Sequence, residues 1–168
     1  LHRIAHFFWR KGFKTLGIMF SSISRFFTGI DIHPGAIIGE RVFIDHGYGT
    51  VIGETAIIGD NCLLHQNVTL GNRGAAIEKR HPTLDKNVMV GAGATVLGPI
   101  TVGAHAQIGA NAVVTSDVPE GCTVVGNPGR TIKRDGKENK NGLPAFVLSD
   151  PVGETIDKIL DDIKLIKK

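Results

Sequence analysis

Acidic residues are missing from the first 27 positions. That segment holds Arg3, Arg10, Lys11, Lys14 and Arg25 against no Asp or Glu, so its charge of +5 is unopposed. Aromatic residues are scarce and lie mostly before residue 28, so a core built after that point cannot rest on large rings. There are only two cysteines, Cys62 and Cys122, which excludes a disulfide scaffold and implies no oxidising compartment; a cytoplasmic protein is expected. No stretch reaches the ~18 uncharged apolar residues of a membrane-spanning helix, and no signal peptide is visible. The net charge of +3 is too mild to argue for nucleic acid. What remains is a chain of 168 residues, long enough for one domain with a continuous core and short appendages.

The feature that is present is a six-residue beat. Aliphatic residues open successive units at Ile32, Ile38, Ile44, Ile52, Ile58, Leu64, Leu70, Leu84, Val90, Val96, Val102, Ile108 and Val114. A small or aliphatic residue follows four places later, as at Ala36, Val42, Ala56, Cys62, Val68, Val88, Ala94, Ala106 and Ala112. A fixed short period marks a stacked β-solenoid. Three units make one triangular turn, and turns stack at the strand spacing of roughly 4.8 Å. The opener fills the prism and the small residue sits inside a corner. Cys62 holds such a position, so a buried free thiol is expected there. Glycine after the opener (Gly39, Gly53, Gly59, Gly91, Gly103, Gly109) is expected to ease the bend between faces. The pattern resembles the left-handed parallel β-helix of hexapeptide-repeat proteins, and the handedness comes from that resemblance, since ordinary crossovers are right-handed.

The spacing divides the chain into a helical segment (1–27), the mainly β solenoid (28–133), a charged Gly/Asn-rich linker (134–149) and a C-terminal helix (150–168). Within 1–27, apolar spacings of three and four predict two helices broken at Gly12. Their apolar face would pack on the solenoid or a neighbouring subunit, or lie on a membrane surface. Asp150-Pro151 is a helix start, followed by a stripe at Ile156, Ile159, Leu160, Ile163 and Ile166. The first residue is Leu1, not Met, so the natural N-terminus is expected to lie upstream.

Two interruptions of the beat are candidate sites, because loops thrown from a rigid scaffold tend to carry function. Between Ile44 and Ile52 two extra residues push out Asp45-His46-Gly47-Tyr48-Gly49. Between Leu70 and Leu84 a longer polar excursion ends in Arg80-His81-Pro82. Asp31 and His33 precede the first loop. Asp31 and His46 are fifteen residues apart, a little under one turn, so the two side chains are able to meet at adjacent corners. A carboxylate holding one imidazole nitrogen leaves the other to take a proton from an alcohol. The bland alternative is a hydrogen-bonded surface histidine.

Six stretches sharpen this reading: Thr-Gly-Ile-Asp-Ile-His-Pro-Gly-Ala (28–36), Ile-Asp-His-Gly-Tyr-Gly (44–49), Val-Ile-Gly-Glu-Thr-Ala (51–56), Asn-Val-Thr-Leu-Gly (67–71), Lys-Arg-His-Pro-Thr (79–83) and Gly-Asn-Pro-Gly-Arg (126–130). Together they resemble the serine O-acetyltransferases, and the tail resembles the family's shorter bacterial form. The resemblance implies transfer of acetyl from acetyl-CoA to the hydroxyl of L-serine, the first step of cysteine biosynthesis, with no metal. It implies His46 as general base and Asp31 as its partner. Asp45 would bind the substrate ammonium, and Arg80 and His81 its carboxylate. Gly71 would polarise the thioester carbonyl, while Ala92, Gly93, Arg130 and Lys133 would hold the pantetheine and phosphates. It further implies a homotrimer, a dimer of trimers above it, and a complex with O-acetylserine sulfhydrylase.

The sequence departs from the family in three places. Leu70 is followed by Gly71-Asn72-Arg73-Gly74-Ala75 where the family commonly has Gly-Gly-Thr-Gly-Lys. The family's upstream helical region is not contained here. The chain ends Leu165-Ile166-Lys167-Lys168, not in the terminal Ile that many members insert into the sulfhydrylase. Competing readings are acetyl transfer to another hydroxyl, such as a sugar or antibiotic, a trimeric zinc enzyme of the carbonic-anhydrase type, and a non-enzymatic scaffold. The zinc reading needs three histidines to converge. His33, His46, His65 and His81 show no such spacing.

Overall fold

The computed structural model describes residues 1–74 and 78–132. The predicted linker, C-terminal helix and sulfhydrylase-binding tail fall outside the described residues, as does Lys133. Two helices, α1 (His2–Arg10) and α2 (Lys14–Thr28), are followed by fifteen short strands. These are β1 (Asp31–Ile32), β2 (Ile37–Ile38), β3 (Phe43–Ile44), β4 (Val51–Ile52), β5 (Ile57–Ile58), β6 (Leu63–Leu64), β7 (Thr69–Gly71), β8 (Thr83–Leu84), β9 (Met89–Val90), β10 (Thr95–Leu97), β11 (Thr101–Val102), β12 (Gln107–Ile108), β13 (Val113–Val114), β14 (Thr123–Val125) and β15 (Arg130–Ile132).

From β1 to β13 every third strand stacks in parallel, giving three faces. The first face is β1-β4-β7-β10-β13, the second β2-β5-β8-β11, and the third β3-β6-β9-β12-β14 with β15 added antiparallel. Each predicted opener is the second residue of a strand, and from Ile52 onward every one is buried. In the first coil Ile32, Ile38 and Ile44 are half-buried, because no coil lies beneath them. The small residues Ala36, Ala56, Cys62, Ala94, Ala106 and Ala112 are buried beside them, and both cysteines are free thiols.

Register locates the insertions. Val51 pairs with Thr69, eighteen residues on, the ideal turn. Asp31 pairs with Val51, twenty on, and Ile57 with Thr83, twenty-six on. Two residues are therefore extruded before β4 and eight before β8, while the prism itself is undisturbed.

The role expected of the recurring glycines is different from the one found. None of the six adopts a left-handed backbone; instead a Cβ at Gly91 would stand 2.7 Å from the Ala110 nitrogen, and one at Gly103 2.6 Å from the Glu120 nitrogen. The next coil crosses directly over these positions, so hydrogen is the only side chain that fits. Left-handed backbone falls elsewhere. Asn67 and Asn111 lie two residues before first-face strands, and Asn61 and Asn87 two before third-face strands. Asn tolerates that region better than other side chains. Gly91→Ala forces the coil carrying Ala110 to shift and is expected to cost about 2 kcal/mol, the usual range for overpacking, read as a lower denaturation midpoint at unchanged m-value.

The helices cap the open edge of the first coil by donating side-chain hydrogen bonds to its unpaired carbonyls. Ser21 Oγ donates to Ile32 O at 2.6 Å, and His6 Nδ1 to Pro34 O at 2.8 Å. Arg3 donates to Ile38 O and Gly39 O, both at 2.7 Å. This blunts a sheet edge that would otherwise template another chain. Two packings are expected for the apolar stripe, on the solenoid or on a neighbouring subunit; only Ala5 of it is buried within the chain, and most of the stripe is left open. Leu16, Met19, Ile23 and Phe27 are exposed, and the buried helix positions are Ala5, Gly17 and Ser21. No helix among the described residues is long and apolar enough to cross a membrane.

Candidate active site

The candidate groups of the two extruded loops flank the first face, one set at each of its edges. The near edge is the corner before β4. Here the extruded loop is pinned from several sides. Gly49 N–H donates to Gly29 O at 2.9 Å, Asp31 N–H to Thr50 O at 2.8 Å, and Asn67 N–H to Tyr48 O at 3.0 Å. Gly47 packs so closely on Ile30 and Ile44 that a Cβ would lie 2.6 Å from each, and the Tyr48 ring covers Gly29. His46 stands in this clamped loop at φ 51°, a left-handed conformation uncommon for a residue with a side chain. Its side chain is 82% exposed and lies 3.7 Å, Nε2 to Oδ1, from Asp45. That separation is an ion-pair distance, too long for a hydrogen bond.

The expected Asp31–His46 pair is not made in the single chain. The Asp31 carboxylate is held instead by Arg25, from the last turn of α2, at 3.2 Å. The guanidinium offers the carboxylate a permanent positive charge. Both partners are largely open to water, so the pair holds Asp31 only weakly. The backbone bonds nevertheless place Asp31 and the His46 loop at the same corner.

The far edge is the corner before β8, where the eight-residue insertion returns. Its anchor is Thr55. Thr55 Oγ1 accepts the N–H groups of Arg80 and His81, each at 3.0 Å, and lies 2.9 Å from His81 Nδ1. Thr55 N–H also donates to His81 Nδ1 at 3.2 Å, and Lys79 Nζ donates to Thr55 O at 2.6 Å. Glu54 forms an ion pair with Arg80. The His81 ring is buried and lies on Gly53, where a Cβ would come within 2.0 Å of Cδ2. Burial pushes its pKa down, helped by the charges of Arg80 and Lys79, against an opposing pull from Glu54. His33 closes this edge. Its Nδ1 accepts from Gly35 N–H at 3.0 Å and the edge of its ring meets Trp9 at 4.7 Å between centroids. Burial lowers its pKa too, with Glu54 opposing and Arg80 adding.

Of the remaining predicted groups, Gly71 ends β7 on the first face, in register with Leu97 of the next coil. Gly93 N–H donates to Gln66 O and Ala92 O accepts from Asn111 N–H, both at 2.9 Å, so these two groups hold coils together. Arg130 is exposed in β15, opposite Val125. The structure thus groups Asp31, Asp45 and His46 at one edge, and Arg80 and His81 at the other. Sequence reading missed Glu54 and Thr55 as individual residues, although both stand within the quoted Val-Ile-Gly-Glu-Thr-Ala stretch. Among the described residues no three His, Cys, Asp or Glu side chains gather as a metal site.

Residues 81–116 match the family model described as bacterial transferase hexapeptide (six repeats). The serine acetyltransferase of Synechococcus elongatus is 49% identical over 166 residues, covering 99% of this chain and 68% of that protein. The chain belongs to the serine acetyltransferase family. The Bacillus subtilis serine acetyltransferase is likewise 49% identical, over 99% of this chain and 76% of its own length. A solved structure, soybean serine acetyltransferase complexed with serine, superposes with a TM-score of 0.76 at 44% identity over 78% of this chain. This chain spans 54% of that soybean chain, about half. The solenoid is a left-handed β-helix, as in the structures of this family.

Proposed function

We propose that this chain is a serine O-acetyltransferase that moves acetyl from acetyl-CoA directly to the hydroxyl of L-serine. One observation carries the mechanism: an exposed imidazole, His46, is held beside the Asp45 carboxylate in a clamped left-handed loop, at the corner that also carries Asp31 and at the edge of a face whose other edge presents Arg80 and His81. His46 takes the hydroxyl proton as the serine oxygen attacks the thioester carbonyl. The tetrahedral intermediate then collapses, the C–S bond breaks, and the departing thiolate takes the proton back from the imidazolium. Asp31, once released from Arg25, stabilises that imidazolium. Asp45 receives the substrate ammonium and Arg80 the carboxylate. In this reading the Gly71 amide is the donor toward the developing oxyanion, and Ala92, Gly93, Arg130 and Lys133 are the residues assigned to the CoA arm.

The two sets of groups stand at different corners of one prism, and Ile37, Phe43 and Val51 leave apolar surface exposed on its outer walls. Both facts support a homotrimer in which neighbouring copies enclose the cleft. The soybean relative solved in complex with serine supports the acceptor. The test is thiol release from acetyl-CoA over a panel of alcohols. Turnover with L-serine is expected on the order of 10²-fold above that with neutral sugars, because a site with charged partners rejects an acceptor that leaves them unpaired. Equal rates on sugars would transfer the assignment to another hydroxyl.

A further inference from the structure

We infer that Thr55 is a positioning residue that locks His81 as the neutral tautomer with its proton on Nε2, so that His81 meets substrate as an uncharged hydrogen-bond donor. The inference rests on the serine-acetylating reading for its kinetic consequence, and on the geometry alone for the tautomer.

The argument is one of hydrogen-bond valence. A threonine hydroxyl has one proton and two lone pairs. The backbone N–H groups of Arg80 and His81 both donate to Thr55 Oγ1, which occupies its lone pairs. Its proton is then directed to His81 Nδ1, 2.9 Å away. The same nitrogen receives Thr55 N–H at 3.2 Å. Two donors converge on Nδ1, so Nδ1 must accept, and the ring proton resides on Nε2. A proton on Nδ1 would face both donors at close range. The imidazolium form is disfavoured further by burial and by the cations Arg80 and Lys79, while Glu54 alone pulls the other way.

The consequence divides labour between the two histidines. The His46 ring is exposed and makes no side-chain hydrogen bond among the described residues, so both of its nitrogens are open to substrate. His81 cannot act as a base through Nδ1 and offers only an N–H from Nε2. Beside the Arg80 guanidinium, that N–H is a second donor toward a carboxylate. Thr55 therefore sets both the position of this pair, through two main-chain bonds, and the chemical state of one member. The eight-residue insertion leaves the prism between the two partners, so the contact joins residues twenty-six apart.

The test uses Thr55→Ala and Thr55→Ser in the full chain. The His81 ring nitrogens are observed by 15N NMR in the substrate-free protein and assigned by difference with His81→Gln. The wild type is expected to show the Nε2–H form alone, Thr55→Ala a mixture of tautomers, and Thr55→Ser the wild-type pattern. In kinetics, Thr55→Ala is expected to raise the KM for serine about tenfold, the worth of one hydrogen bond to a charged group. The KM for acetyl-CoA stays unchanged, and Thr55→Ser restores most of the loss. A wild-type ring protonated on Nδ1, or Thr55→Ser as damaging as Thr55→Ala, overturns the inference. If the wild-type enzyme fails to acetylate serine while the NMR result holds, the functional reading falls and the tautomer lock stands.

Discussion

Replacement of His46 by Ala is expected to lower kcat by on the order of 10²- to 10⁴-fold, the range supplied by a positioned general base, while leaving the fold intact. The second half follows from how little the ring touches. It is 82% exposed and, among the described residues, makes no side-chain hydrogen bond and forms an ion-pair contact only with Asp45, at 3.7 Å. The loop is held by its backbone and by Gly47 and Tyr48, none of which depends on the imidazole. One complication is the backbone itself. At φ 51° alanine carries more strain than histidine, and a small shift of the loop would mimic loss of the base. His46→Asn separates the two effects, because Asn accepts a left-handed backbone readily but supplies no base. Both variants should lose turnover alike at saturating serine and acetyl-CoA, with circular dichroism and melting curves close to wild type. Retention of near-normal kcat in His46→Asn would remove the ring from the chemistry.

The fold was legible because its signal is one-dimensional. An opener such as Leu64 or Val90 needs only its own interval to be placed in the core, and both interruptions of the beat turned out to be extruded loops of the predicted size. The recurring glycines were placed correctly and explained wrongly. At Gly39, Gly59, Gly91 and Gly103 the reason is the coil crossing above, at Gly53 it is the His81 ring, and distances such as that from Gly91 to Ala110 are invisible until turns are stacked. The helical stripe was legible as an apolar face, but the way the helices dock on the solenoid was not. Periodicity finds the apolar face at Leu16, Met19 and Ile23, but the solenoid edge exposes carbonyls, so polar donors such as Ser21 and Arg3 dock against it.

At the site, the residues that interrupt the pattern could be read, and those that support them could not. His46, Arg80 and His81 stand in loops. Thr55 and Glu54 sit in regular corner positions where a polar residue is unremarked, and their partners lie across an insertion of eight. The pairing of Asp31 was legible only as proximity. Fifteen residues of separation bring it to the right corner, while its present partner, Arg25, comes from a helix outside the repeat.

Arg80 carries the second large expectation. Arg80→Ala should raise the KM for serine by on the order of 10²-fold, because truncating one member of a buried or half-buried charge pair typically costs 2–5 kcal/mol. Two losses combine. The substrate carboxylate loses its fork of guanidinium donors, and the Glu54 carboxylate, only 34% exposed, loses its partner and becomes a fixed negative charge beside the site. Arg80→Lys keeps the charge but not the planar fork, so it should recover part of the loss and no more. The double variant Arg80→Ala with Glu54→Gln distinguishes the contributions: if the stranded carboxylate repels substrate, removing its charge restores some affinity. The KM for acetyl-CoA should be indifferent to all three, since the CoA arm is assigned to other residues. Initial rates over a serine titration read each value directly. An unchanged serine KM in Arg80→Ala would mean that the acceptor carboxylate is bound elsewhere, and would leave the Arg80–Glu54 pair as a brace for the loop that carries His81.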